Sequence, residues 1–163
     1  MVTMLSQSIL HAAADLGQFL QAKNYHIATA ESCTGGGIGY AMSAIAGSSA
    51  WFAGGYITYS NALKQQELGV SSQCLAEHGA VSAETAAAMA SGARARAQVE
   101  IAVAVTGIAG PDGGIPEKPV GLVWFGLATP TNVMTWAEHF SGDRDAVRSA
   151  TILTALQSFK KIT

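Results

Sequence analysis

The chain has 163 residues, of which 49% are hydrophobic and only 12% charged, and it carries a formal net charge of −2. Its length suits one domain, residues 1–163, with a substantial core, and a charge content about half that usual for soluble domains predicts surface hidden in a homo-oligomer. No basic stripe is present to neutralise phosphates, which excludes a nucleic-acid binder, and no apolar run is long enough to cross a bilayer. Met1 to Ser8 lacks the basic-then-apolar layout of a secretory leader, so a cytoplasmic location is expected. Cys33 and Cys74 are too few for a disulfide framework, and His11, His26, His78 and His139 are dispersed. A zinc site is not expected.

Leu5, Ile9, Ala12, Ala13, Leu16, Phe19 and Leu20 recur at helical spacing and predict an amphipathic helix over 6–23, stopped at Asn24. His26 to Ala30 reads as a short strand running out at Glu31-Ser32. A helix follows to Ile45, with Ser32 or Thr34 as its cap; the glycines of Gly37-Ile38-Gly39-Tyr40 are expected to loosen its start. Trp51 to Tyr59 predicts a strand and Asn61 to Leu68 a turn or two of helix. Ser82-Ala83-Glu84-Thr85 nearly forms a capping box and opens a helix to Ala97. Val99 to Thr106 is almost continuously apolar, as in a strand covered on both faces. Residues 107–119 hold glycines and three prolines and must be loop. Val120 to Ala128 and Val133 to Phe140 form an antiparallel hairpin, and Asp143 opens the last helix. Helices alternating with buried strands imply a three-layer α/β/α sandwich with a mixed, mostly parallel sheet.

Three stretches carry chemistry. Ser32 lies where a strand ends and a glycine-rich helix start begins, placing a hydroxyl over unpaired backbone N–H groups at the positive end of a helix. Such groups hold a phosphate or stabilise the oxyanion of an acyl transfer. The same residue type caps helices, and residue chemistry leaves nucleophile and cap both open. Cys33 is a rival nucleophile, although small buried cysteines are commoner than reactive ones. A serine nucleophile needs a base. Lys64 follows another strand exit, where same-sense strand ends gather, and a desolvated lysine can accept a proton; by residue chemistry alone a solvated lysine on a helix is the plainer reading. The loop from Thr106 to Gly114 offers backbone for close approach to a ligand. Arg144 and Arg148 can present guanidinium groups to a phosphate, or simply make surface pairs. Ser158 and Lys161 form a nominal Ser-x-x-Lys that reads as chance.

Together, Glu31-Ser32-Cys33-Thr34-Gly35-Gly36, Gly47-Ser48-Ser49-Ala50-Trp51-Phe52, Thr58-Tyr59-Ser60-Asn61 with Lys64, His78-Gly79-Ala80-Val81-Ser82, Val105-Thr106-Gly107-Ile108-Ala109-Gly110-Pro111-Asp112-Gly113-Gly114, Glu117-Lys118-Pro119-Val120-Gly121 and Phe140-Ser141-Gly142-Asp143-Arg144 resemble the CinA C-terminal domain family, in register from Leu5 to Phe159. The resemblance implies a metal-independent serine amidohydrolase without cofactor, usually dimeric, like the stand-alone members that convert nicotinamide mononucleotide to nicotinic acid mononucleotide and ammonia in NAD salvage. It implies Ser32 as nucleophile, Lys64 as general base and Tyr59 beside them, which reverses the plainer reading of Lys64. It places Thr34, Gly35, Gly36, Thr106, Gly107, Gly110, Arg144 and Arg148 in substrate-contacting regions. The separate N-terminal domain of longer family members is not expected here, because the chain begins close to the amidase segment. A non-catalytic ligand-sensing or partner-binding domain of the same fold is the alternative reading. A phosphate-ester hydrolase is disfavoured for want of a metal–carboxylate cluster.

Overall fold

The computed structural model describes residues 5–162, so the leader reading of Met1 to Ser8 rests partly on residues outside those described. Helix α1 spans Gln7–Lys23. The Ser6 hydroxyl accepts the Ile9 N–H at 3.2 Å, and Asn24 closes the helix in the left-handed region at φ 57°. Asparagine is one of the few residues that tolerates that conformation. Strand β1 (Ile27–Glu31) follows, then α2 (Gly37–Ser43), a 3₁₀ turn (Ser48–Ala50) and β2 (Phe52–Ile57). Helices α3 (Asn61–Leu68), α4 (Ser72–His78) and α5 (Ala83–Ala97) come next. The chain finishes with β3 (Ile101–Gly107), β4 (Leu122–Ala128), β5 (Val133–His139), α6 (Arg144–Leu156) and a 3₁₀ turn at Ser158–Lys161.

The sheet order is β2-β1-β3-β4-β5. β1 pairs in parallel with both β2 and β3, while β4 runs antiparallel to β3 and to β5. Only β4 therefore points the other way, which is the mixed, mostly parallel sheet read from the sequence. Strand alternation splits the core in two. Ile27, Ile101, Val103, Val105, Val123, Phe125 and Leu127 face α1, α2 and α6. Ala30, Ala102, Ala104 and Ala128 face α3 and α5, together with Leu68, Met89, Ala90 and Ala93. Small side chains on that second face let α5 lie close to the sheet. A Cβ on Gly126 would run into the backbone carbonyl of Ala86. No helix among the described residues is long and apolar enough to cross a membrane.

Several elements differ from expectation. β2 stops at Ile57 rather than Tyr59, and α2 stops at Ser43 rather than Ile45. Helix α4 carries no wholly buried residue and so has no apolar stripe to betray it; the Ser71 hydroxyl, accepting the Cys74 N–H at 3.0 Å, starts it. Neither Ser32 nor Thr34 caps α2, whose N-cap is Gly36 at φ 99° with no side-chain bond. Only glycine takes that angle without strain. The glycines expected to loosen the helix start are closely packed there. A Cβ on Gly37 would lie 2.6 Å from Ile152 Cδ1, and one on Gly39 would lie 3.2 Å from Phe52 Cζ, so bare backbone is what fits between α6 and β2. At α5 the Ser82 hydroxyl accepts the Thr85 N–H as expected, but the Thr85 hydroxyl donates to Gly79 O instead of closing a box.

Candidate active site

The β1–β3 ladder runs one residue past the strand, with the Ser32 N–H donating to Val105 O at 3.2 Å. Alternation along this extended backbone sends neighbouring side chains to opposite faces of the sheet. Glu31 turns toward α2, and Ser32 turns toward α3. There the chain leaves β2 through Thr58 and Tyr59, and the Ser60 hydroxyl starts α3 by accepting the Leu63 N–H at 3.1 Å. One residue on, Lys64 drives back into the protein and is only 1% exposed.

The Lys64 amine has three partners: Thr58 O at 2.8 Å, Tyr59 O at 3.0 Å and Ser32 Oγ at 3.0 Å. Two of these are carbonyls, which only accept. A neutral amine has two N–H groups and one lone pair, so both hydrogens go to the carbonyls and the lone pair is left for the hydroxyl. Burial lowers the Lys64 pKa from 10.5 to about 8 and brings that neutral form within reach near neutral pH. No carboxylate pairs with the amine among the described residues.

Cys33 is buried beside this pair, and burial raises its thiol from 9.0 to about 11. It is a thiol at neutral pH, the wrong state for a nucleophile. The turn that follows is held from inside and outside. Gly35 N–H donates to Ser32 O at 3.1 Å and Gly37 N–H to Thr34 O at 3.0 Å. From α6, Arg148 reaches Cys33 O with Nε at 3.2 Å and Thr34 O with Nη2 at 3.4 Å. No backbone carbonyl among the described residues engages the N–H groups of Thr34 and Gly36.

Ser32, Cys33, Tyr59, Lys64, Thr106 and Arg144 line one cavity of about 180 Å³, closed on other sides by Ala80, Val81, Gly107 and Ala109. The Thr106 hydroxyl donates to Ala80 O at 2.8 Å, tying the β3 exit to the segment before α5. Tyr59 is 60% exposed at the mouth. Its hydroxyl accepts from Arg144 Nη2 at 3.1 Å, while Arg144 Nη1 donates to Gly110 O at 2.7 Å. Ala109 and Arg144 also line an adjoining hollow of about 490 Å³ with Pro111, Val120 and Gly142. Thr34 turns its hydroxyl to Glu31, 2.7 Å away, and lies with Gly37 and Arg148 along a separate groove. Ser158 and Lys161 do not meet: the serine donates to Ala155 O and the lysine sits over Trp136. His78 lies between Glu77 and Glu84, lining another hollow with Trp124 and His139.

Glu31, Ala80 and Val81 stand in segments that carry the family resemblance, but none was given a role in the site. Alternation past β1 points Glu31 at the helix start and was available as a signal. Ala80 and Val81 belong to the segment from His78 to Ser82, yet nothing in their spacing brings them to β3.

A buried lysine amine 3.0 Å from a serine hydroxyl, beside a turn with spare N–H groups, is an arrangement that can support acyl transfer to serine. The chain belongs to the CinA C-terminal domain family, whose model matches residues 10–163. It is 49% identical over 156 residues to the nicotinamide-nucleotide amidohydrolase PncC of Shigella flexneri, covering 95% of this chain and 94% of that one. It is 51% identical over 146 residues to a CinA-like protein of Citrifermentans bemidjiense, covering 90% of this chain but 35% of that longer one. The crystal structure of the competence/damage inducible protein CihA from Agrobacterium tumefaciens superposes with a TM-score of 0.94 at 41% identity, covering 98% of each chain.

Proposed function

We propose that the protein is a nicotinamide-nucleotide amidohydrolase that hydrolyses the carboxamide of nicotinamide mononucleotide to nicotinic acid mononucleotide and ammonia. The observation that carries the chemistry is the Lys64 amine, left by its two carbonyl partners with a lone pair for Ser32 Oγ. The substrate class rests on the relatives named above. In this reading Lys64 takes the Ser32 proton as Oγ attacks the carboxamide carbon. Unpaired backbone N–H groups of the turn after Ser32 meet the resulting oxyanion; that of Gly35 is spent on Ser32 O. The Lys64 ammonium returns its proton to the amide nitrogen, with Tyr59 as a relay at the mouth, and ammonia leaves. Water, deprotonated by Lys64, then opens the acyl-serine to a carboxylate and restores Ser32.

The cavity of about 180 Å³ suits the carboxamide end of the pyridine ring, walled by Thr106 and Gly107. The ribose phosphate extends toward the hollow shared through Ala109 and Arg144, where Arg144 meets the phosphate. The working form is a single-domain homodimer in the cytoplasm, with neither nucleic acid nor membrane as partner. The low charged fraction and the acidic balance support it. The test is a coupled ammonia assay on wild type and Ser32→Ala. Wild-type turnover with a loss of about a thousandfold or more in the folded variant is expected. Binding without turnover by wild type, or a fully active Ser32→Ala, overturns the reading.

A further inference from the structure

We propose that Glu31 is the positioning residue of this site, its carboxylate holding the turn that aims Ser32 at Lys64. The inference rests on the hydrolytic reading above. Glu31 is 1% exposed, an unusual place for a carboxylate. Each of its oxygens accepts twice. Oε1 takes the Thr34 hydroxyl at 2.7 Å and the Ile38 N–H at 2.9 Å; Oε2 takes the Gly39 N–H at 3.0 Å and the Thr29 hydroxyl at 3.2 Å.

These four donors lie on both sides of Ser32. Thr29 belongs to β1, Thr34 to the turn itself, and Ile38 and Gly39 to the first turn of α2. The backbone of Glu31 is meanwhile fixed in the sheet, paired with Val105 and Ile57 and accepting the Thr58 N–H at 2.9 Å. One residue thus anchors the two ends of the five-residue segment from Ser32 to Gly36. It also supplies the cap that Gly36, without a side chain, cannot. Because Thr58 O is a partner of the Lys64 amine, the backbone of Glu31 borders the base as well as the serine.

The arrangement demands a carboxylate. Both oxygens face a backbone N–H, and an N–H cannot turn round to become an acceptor. An amide of the same shape would set its NH₂ against either Ile38 or Gly39. Glu31→Gln should therefore shift the turn without changing the shape of the side chain. Misplacement of a reacting group by about 1 Å costs on the order of a hundredfold.

The experiment measures kcat, KM and the pH profile of ammonia release from nicotinamide mononucleotide for wild type, Glu31→Gln and Thr34→Val. The valine variant removes the one bond between the turn and Glu31 but leaves both helix N–H caps in place. Glu31→Gln is expected to lose about a hundredfold in kcat with KM within about threefold and the midpoint of the pH profile unmoved. Thr34→Val is expected to fold with a melting temperature lowered by several degrees and to lose about tenfold in kcat. Should Glu31→Gln fail to fold, Thr34→Val decides. Wild-type kcat in either folded variant overturns the proposal, and so does a shifted pH midpoint, which would give Glu31 a part in proton transfer. Ser32→Ala measured alongside keeps the two claims apart: if it is active, or if wild type releases no ammonia, the hydrolytic reading fails and this inference falls with it. If Ser32→Ala is dead and Glu31→Gln is not, only the positioning role is lost.

Discussion

Lys64 Nζ lies 3.0 Å from Ser32 Oγ across 32 residues of chain, and burial rather than an ion pair tunes the amine. The proposed base should therefore work only when its proton is gone. The value of kcat/KM is expected to rise with pH and level off above about 8, the folded Lys64 value. A profile flat from pH 6 to 9 would remove Lys64 as base. Lys64→Met should lower kcat by about a thousandfold with KM within a few fold.

The same shift has a consequence for stability. The folded Lys64 value, about 8, lies below the ordinary 10.5 expected in the unfolded chain. Between those values the unfolded state binds the extra proton, so stability rises with pH across that window and is lowest below about 8. Urea midpoints measured from pH 7 to 10.5 should show this rise in wild type and a smaller one in Lys64→Met. Equal slopes in the two proteins would contradict it.

Cys33 should be inert as a thiol. It is 5% exposed and held near 11, so iodoacetamide at pH 7.5 is expected to modify Cys74 and leave Cys33 untouched until the protein unfolds. Peptide mapping after partial labelling checks the order. Labelling of Cys33 first would reopen its claim to be the nucleophile.

Gly126→Ala should destabilise the protein by about 1–3 kcal/mol, because the added methyl meets the Ala86 carbonyl where α5 crosses β4 and backbone cannot swing aside. A fall of several degrees in melting temperature with kcat/KM unchanged is expected. A neutral or stabilising result would mean that α5 lies farther from the sheet.

Much of this fold was legible because apolar spacing reports burial directly. Ile9 to Leu20 and the Val99 to Thr106 run show which faces are covered, and Asn24, Ser82 and Asp143 mark helix ends by their own hydrogen-bonding chemistry. Helix α4 was not legible, since its residues bury no stripe. The cap of α2 was missed for a related reason. Ser32 and Thr34 have the side chains of local caps, but the acceptor comes from Glu31, seven and eight residues before the N–H groups it serves. The pairing of Ser32 with Lys64 depends on β1 and β2 being parallel neighbours, and the resemblance to a family supplied what spacing alone could not. Arg144 and Arg148, read together as phosphate ligands, occupy different places: one borders the Ser32 cavity and the other grips the carbonyls behind it.

The reversal of β4 divides the molecule into an end that carries the site and an end that carries a tight turn. By doubling back after β3, the chain spends residues 108–121 at the same edge as Ser32, then makes its tight return at 129–132 on the far edge, where Thr129 gathers the backbone of Thr131 and Asn132. β5 then brings α6 and both arginines back to the first edge. Insertions or exchanges within 108–121 can therefore reshape what the cavity admits without altering strand order, and the 129–132 turn can be redesigned for stability at no cost to selectivity. Substrate preference and folding can be evolved separately on this scaffold, because they are written into opposite ends of the same strands.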